Sequence, residues 1–197
     1  MYICSIDIGK KNFAFCVEDV PDKLNDTSEY LMSVFMSGTI LILENVDLTR
    51  DTSSDIDIYL NMNKLLDSYS DIMDKCQTII IEQQMFFGKS RNTMALKLAQ
   101  HCMSYFLCKY GKSKTVIDFP AYHKTQALGA PKILTPKGKY KAMTKPQRKK
   151  WSVIKAKEIL ALRNDTSMLN KLGVKKADDM TDTILQLQAW KAISLYK

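Results

Sequence analysis

Residues 2–18 read YICSIDIGKKNFAFCVE, which are two short apolar runs separated by a glycine turn. The first run ends just after Asp7, and the second follows within three residues, which predicts a β-hairpin. A second stretch, TIIIE at residues 78–82, is continuous and β-branched, as is typical of a strand buried on both faces. Both apolar runs finish beside a carboxylate, Asp7 in one and Glu82 in the other.

The remaining pattern completes a mixed sheet of five strands with helices on both faces. The third strand is expected within residues 31–44 and the fifth within residues 114–119. Apolar residues three and four apart predict helices at 55–75 and 92–110, and Pro146 predicts the first turn of a helix that ends at about residue 162. Residues 177–196 contain no Gly or Pro and are predicted to form the last helix. Residues 121–144 contain two glycines and two prolines without a period, which predicts an extended basic loop inserted into a single domain spanning residues 1–197.

Composition excludes several classes of protein. The 197 residues, 46% hydrophobic and 25% charged, exclude a disordered or low-complexity chain. The N-terminus lacks the basic region of a secretory signal, and no apolar run approaches the roughly 18–20 residues of a membrane span. Five scattered cysteines without a CxxC pair are expected to be reduced core residues rather than zinc ligands. We therefore expect an intracellular protein with no membrane partner.

The formal charge of +8 is unevenly distributed along the chain. Residues 109–157 carry 13 Lys and one Arg against a single acid, Asp118, so this segment has a net charge of +13 and the remainder −5. Residues 18–74 carry a net charge of −10. A basic segment of this size indicates a solvated surface, a nuclear-targeting sequence or a face that binds phosphates. Charge alone leaves these alternatives open.

Further acids open the last predicted helix, at Asp178, Asp179 and Asp182. Asp182 shares a helix face with both of the others, so spacing does not decide between them. Strand-end acids can simply face water, and acids in a first turn interact favourably with the helix dipole. If the strand-end and helix acids converge, they offer the hard oxygen ligands that suit Mg²⁺, or Mn²⁺ in its place, and such ions can activate water against a phosphodiester.

These motifs resemble those of RuvC-type Holliday junction resolvases, with the nearest likeness to the poxvirus and large-DNA-virus branch. The three acidic motifs are SIDIG at 5–9, IIIEQ at 79–83 and ADDMTD at 177–182. ALKLAQ at 95–100 is similar to the helix that follows the Glu motif in bacterial enzymes. RKKWSV at 148–153 is similar to a basic helix start in the poxvirus branch.

The resemblance implies a ribonuclease-H-like α/β fold and a homodimer that binds branched DNA. The implied activity is a metal-dependent endonuclease making paired symmetric incisions in four-way junctions by two-metal hydrolysis, in recombination and repair. If the source is a virus, the protein would act where viral DNA replicates in the host cell. The helix at 92–110 would form the dimer interface, although its apolar face would equally serve as ordinary core.

The resemblance also carries residue roles onto matching positions. The implied catalytic and metal-binding residues are Asp7, Glu82, Asp179 and Asp182. Asp178 is the alternative to Asp179. An aromatic that wedges into DNA near the crossover matches Phe86, with Phe87 as its alternative. Further DNA contacts are expected from these basic residues: Lys89, Arg91, Lys145, Arg148, Lys149, Lys150 and Lys176.

Two other functions stay open on the sequence. One is a broader ribonuclease-H-like nuclease that cuts flaps, bulges or RNA–DNA hybrids. The other is a DNA-binding scaffold that keeps the fold without turnover. The presence of all four acids argues against the inactive scaffold. Symmetric nicks confined to a four-way junction would distinguish a resolvase from the broader nuclease.

Overall fold

The computed structural model describes residues 1–23, 29–50, 52, 54–84, 92–134, 136, 138–173 and 177–195. The main sheet has five strands: β1 (Tyr2–Asp7), β2 (Phe13–Asp19), β3 (Thr39–Val46), β4 (Cys76–Glu82) and β5 (Thr115–Phe119). Their order is β3-β2-β1-β4-β5. β1 runs antiparallel to β2 and parallel to β4, so the predicted hairpin and mixed sheet are confirmed.

Helices cover both faces of this sheet, as predicted. In chain order they are α1 (Tyr30–Met36), α2 (Asp55–Ser68), α3 (Ser70–Met73), α4 (Thr93–Tyr110), α5 (Tyr122–Ala127), α6 (Lys145–Leu162), α7 (Thr166–Lys171) and α8 (Asp178–Trp190). A π-helical segment, Lys191–Leu195, extends α8. One core lies under α2 and α4, and the other lies under α1, α6 and α8. None of the described helices is long and apolar enough to cross a membrane.

The alternation of side chains along a strand decides which face receives the strand-end acids. Ile6 belongs to the core under α2 and α4, whereas Ile3 and Ile80 belong to the core under α6 and α8. Asp7 lies four residues after Ile3, and Glu82 lies two residues after Ile80. Both acids are therefore directed to the side of the sheet that α8 covers.

The register of the two parallel strands brings these acids to one edge. Ile6 pairs with Ile81, so Asp7 and Glu82 follow at neighbouring strand ends. The α8 helix is fixed against the same two strands, because Gln186 Nε2 donates to one backbone carbonyl oxygen in β1 and one in β4, both at 3.3 Å. The start of α8, with its own acids, consequently lies beside the strand ends.

A buried ion cluster ties α6 and α8 to β2. Lys191 Nζ donates to Glu18 Oε1 at 2.7 Å, and Arg163 lies 3.3 Å from the same oxygen. Gln188 Nε2 donates to the other Glu18 oxygen at 2.7 Å. Burial alone would raise the pKa of Glu18, but Lys191 and Arg163 hold it below its ordinary value. Gly38, at a φ of +95°, leaves the space that the Glu18 carboxylate occupies, and a Cβ there would collide with it.

The structure differs from the prediction at residues 31–36, which lie in α1 rather than in a strand. The apolar residues Leu31, Val34 and Phe35 have helical spacing and pack into the core beside α6 and α8. The short α7 was also not predicted, since its residues lack a distinct apolar stripe. β5 was expected to be a buried strand, but it is only partly buried because it forms the edge of the sheet.

The segment at 121–144 is not the extended loop that its composition predicts. It contains α5 and a small antiparallel hairpin formed by β6 (Ile133–Leu134) and β7 (Tyr140–Lys141). The α5 helix packs against α8 and buries Lys124. Tertiary contact therefore orders a short helix that has too few residues to show a period.

Candidate active site

Three carboxylates from two strands and a helix gather beside a buried lysine. Lys124 Nζ on α5 donates to Glu82 Oε1 at 2.7 Å and lies 3.3 Å from Asp182 Oδ2 on α8. Asp7 shares a side-chain hydrogen bond with Glu82. The side chains of Lys124, Glu82 and Asp182 are 8%, 15% and 28% exposed. We call Asp7, Glu82, Asp182 and Lys124 the acidic site.

Asp7 and Glu82 are hydrogen-bonded carboxyl groups whose pKa values are shifted in opposite directions. Burial raises the pKa of Asp7 well above its usual range, and the charge of Glu82 raises it further. Burial alone would also raise the pKa of Glu82, but Lys124 and the hydrogen bond with Asp7 bring it below its ordinary value. Because two close carboxylates resist simultaneous ionisation, Asp7 is harder to ionise than an ordinary aspartate, whereas Glu82 is easier to ionise than an ordinary glutamate.

The charge of Lys124 is maintained by the acids around it. Burial alone would lower the pKa of Lys124, but Glu82, Asp182 and Asp7 together raise it above its ordinary value. Lys124 therefore stays protonated and offers one positive charge to the three carboxylates. The site keeps an excess of acidic groups, which is the condition under which a further cation is attracted.

The two tandem acids at the start of α8 have different neighbours. Lys149 on α6 forms an ion pair with Asp178, and this hydrogen bond raises the pKa of Lys149. Burial and the charge of Asp178 raise the pKa of Asp179 to about 6, with Asp182 and Glu82 adding to the rise. Asp179 is thus electrostatically coupled to the acidic site, whereas Asp178 is engaged by α6.

The donor chemistry of these residues fits a hard divalent cation. No three His, Cys, Asp or Glu side chains within the described part of the chain form a ready-made metal cluster. Asp7, Glu82 and Asp182 nevertheless place three carboxyl groups around the single cation of Lys124. Mg²⁺ prefers carboxylate oxygens and keeps several waters, so it does not need a closed cage of protein ligands.

The structure brings four of the predicted DNA-contacting residues to one helix start. Lys145, Arg148, Lys149 and Lys150 occupy the first two turns of α6 and are exposed. A capping box formed by Thr144 and Gln147, with Pro146 in the first turn, fixes where this helix begins.

The Lys149–Asp178 ion pair places these basic turns next to the acidic end of α8. The remaining predicted contacts fall outside the described residues: Phe86, the alternative Phe87, Lys89, Arg91 and Lys176.

Sequence reasoning missed Lys124. It lies in a segment with 13 Lys and one Arg, where no local pattern distinguishes a buried lysine from its exposed neighbours. The structure buries it to 7% exposure because α5 packs against α8. Lys124 lies five residues after the end of β5, which places it near the sheet edge where the acids were expected. No helix was predicted there, so its burial beside the acids could not be inferred.

The sheet order and the helices on both faces define the fold. The chain has the RuvC, ribonuclease-H-like fold. It aligns with Thermus thermophilus RuvC at a TM-score of 0.59 and 13% identity, covering 100% of this chain and 99% of that one. It aligns with the Fowlpox virus resolvase, in a complex with substrate Holliday junction DNA, at a TM-score of 0.59 and 21% identity, covering 98% and 99%. The TM-scores show a common fold, and at identities this low the likeness extends to the fold alone.

Sequence comparison gives the narrower relationship. No family model matches the chain. It is 36% identical to uncharacterized protein 170L of Invertebrate iridescent virus 6 over 231 aligned positions, which cover 100% of this chain and 91% of that protein. The chain therefore belongs to the family of this iridescent virus protein.

Proposed function

We propose that this protein is a metal-dependent endonuclease that resolves four-way DNA junctions by paired, symmetric incisions. The observation that carries the proposal is the convergence of Asp7, Glu82 and Asp182 at one edge of a RuvC-type sheet. The Fowlpox virus protein of the same fold is a resolvase solved with Holliday junction DNA. Because the chain aligns over nearly its whole length with a protein of an iridescent virus, we expect it to act where viral DNA replicates in the host cell.

In this proposal, Asp7, Glu82, Asp179 and Asp182 hold two Mg²⁺ ions, or Mn²⁺ in their place. Such ions supply an activated water and stabilise the leaving oxygen of a phosphodiester. Lys124 keeps Glu82 ionised, which is the state a metal ligand requires. The engagement of Asp178 by Lys149 supports Asp179 as the ligand of the tandem pair.

The basic first turns of α6 are proposed to hold the DNA backbone next to this site. Lysine and arginine contacts to phosphates position a duplex without reading its sequence. We propose that Lys89, Arg91 and Lys176 extend the same surface and that Phe86 wedges into the crossover. These roles come from the resemblance of the motifs to the resolvase family.

A symmetric dimer suits this activity. A two-fold axis presents two equal sites to two like strands of a four-way junction. We propose that residues 1–197 form one domain and that α4 contributes the interface. The apolar stripe of α4, which includes Leu98, Cys102 and Phe106, packs into the core, so this interface would use the outer surface of the helix, where Leu107 is half exposed.

Incubation with DNA tests the proposal directly. A labelled four-way junction and a linear duplex of the same sequence are each incubated with the protein, in Mg²⁺ and in EDTA. The proposal predicts symmetric nicks in the junction only, and only with the metal. Cutting of flaps, bulges or RNA–DNA hybrids at the same rate would favour a broader nuclease. Tight junction binding without any cutting would favour a scaffold.

A further inference from the structure

A cleft of about 790 Å³ lies beside the acidic site. Its walls come from the end of β4, from α5, from the chain around the β6–β7 hairpin and from the start of α6. The principal lining residues are Gln83, Gln84, Tyr122, Gln126, Met143 and Arg148. Its size is within the range of about 300–1,000 Å³ that small-molecule pockets occupy.

The cleft and the acidic site share two structural elements. Glu82 ends β4 in the acidic site, and Gln83 and Gln84, the next two residues, line the cleft. On α5, Tyr122 and Gln126 lie on roughly the opposite side of the helix from Lys124, since successive residues are about 100° apart. One short helix therefore separates the two sites.

The lining combines an aromatic ring, amide groups and an apolar wall with two cations, which is a set of groups suited to a nucleotide. Tyr122 is 56% exposed, lines the cleft and packs against His123 with ring centroids 4.3 Å apart, so the cleft contains an accessible aromatic side chain. Gln126 adds an amide, a group that both donates to and accepts from base edges. Met143 supplies an apolar wall, and Arg148 supplies a cation for a phosphate.

We propose that this cleft accepts one unpaired base of the DNA strand, next to the bond that is cut. The base would stack on Tyr122 and present its edge to Gln126, with Arg148 at the neighbouring phosphate. This inference rests on the proposed function, because a branched substrate supplies bases that are already weakly paired. Drawing a base out of its stack costs least at such positions.

Abasic scanning in EDTA tests the proposal without relying on cleavage. Junctions carry a single abasic nucleotide at successive positions around the branch point, and their affinity is measured by anisotropy. Base–aromatic stacking is strong enough that one abasic position should weaken wild-type binding by roughly 5- to 100-fold. Tyr122→Leu should weaken binding of the intact junction and remove the extra loss at that position.

Two further variants keep the test decisive. Gln126→Leu should reduce the preference between the four bases at the sensitive position. Tyr140→Leu alters another exposed tyrosine, on β7 outside the cleft lining, and should keep the full abasic penalty. An unmoved urea midpoint checks the fold of each variant.

The outcomes separate the cleft from the proposed function. If the wild-type protein prefers the junction to the duplex but shows no abasic penalty, base binding in the cleft is refuted and the resolvase proposal stands. A penalty that persists unchanged in Tyr122→Leu also overturns the cleft. A wild-type protein with no preference for junctions overturns both.

Discussion

Replacing Lys124 with methionine removes a cation from among buried carboxylates. Its ammonium lies 2.7 Å from Glu82 and 3.3 Å from Asp182, and its side chain is 8% exposed. Removing one partner of a buried ion pair typically costs about 3–5 kcal/mol, because the remaining charge is left buried. Proton uptake limits this loss, since each unit of pKa rise costs only about 1.4 kcal/mol. We therefore expect Lys124→Met to lower the free energy of unfolding by about 3 kcal/mol at pH 7 in EDTA.

The loss should depend on pH. In the wild-type protein the lowered pKa of Glu82 contributes stability that is present above the ordinary glutamate pKa and is lost as the pH falls through the folded-state value. Without Lys124, the burial that raises the pKa of Glu82 loses its main opposing charge, so the variant loses stability as the pH rises. The difference between the two proteins should therefore be largest at pH 7 and shrink toward pH 4. Added Mg²⁺ should restore part of it by binding the folded state.

Urea unfolding curves at several pH values, with and without Mg²⁺, measure this effect. Lys97→Met is the matched control, because Lys97 forms a 3.1 Å ion pair with Asp55 in which both side chains are about half exposed. Exposed pairs contribute at most about 1 kcal/mol, so this variant should unfold close to the wild type at every pH. A Lys124→Met loss no larger than that of the control, or one that stays constant from pH 4 to pH 7, would refute the electrostatic account of the site.

Three further predictions concern other charged groups. Lys191→Met leaves Glu18 buried with less compensation and should lower the free energy of unfolding by about 3–5 kcal/mol; a urea midpoint near the wild-type value would contradict this. Asp179→Asn should raise the urea midpoint at pH 7 in EDTA, because a folded-state pKa of about 6 makes ionisation costly there, and this gain should disappear by pH 4. Combined Lys149→Ala and Lys150→Ala should weaken junction binding and reduce the slope of log affinity against log salt by about 1 to 2, and an unchanged slope would remove both from the phosphate-binding surface.

The elements that place the strand-end acids were predictable because their patterns are local. A glycine turn between two apolar runs predicts the β1–β2 hairpin, and a run of isoleucines predicts β4. Parallel neighbours then place Asp7 and Glu82 at one edge, as the register confirms. The α8 helix was also predictable from local sequence, since residues 177–196 contain no Gly or Pro.

Other features were not predictable because they depend on contacts between distant segments. Residues 31–36 are apolar enough for a strand, although Leu31, Val34 and Phe35 also have helical spacing, and the packing beside α6 and α8 favours the helix. Glu18 resembles an ordinary strand-end acid until Arg163 and Lys191 close around it. Lys124 is one of many lysines in its segment, and only the docking of α5 on α8 reveals it as the cation of the acidic site.

The central claim is that the strand-end and helix acids form a centre that cuts branched DNA. The most direct measurement compares wild-type protein with Asp7→Asn on one labelled four-way junction in Mg²⁺, with binding recorded on the same samples. The account predicts paired nicks from the wild type and no detectable nicks from Asp7→Asn, with closely similar affinities because the basic turns of α6 remain intact. An Asp7→Asn protein that cuts the junction at the wild-type rate would contradict it.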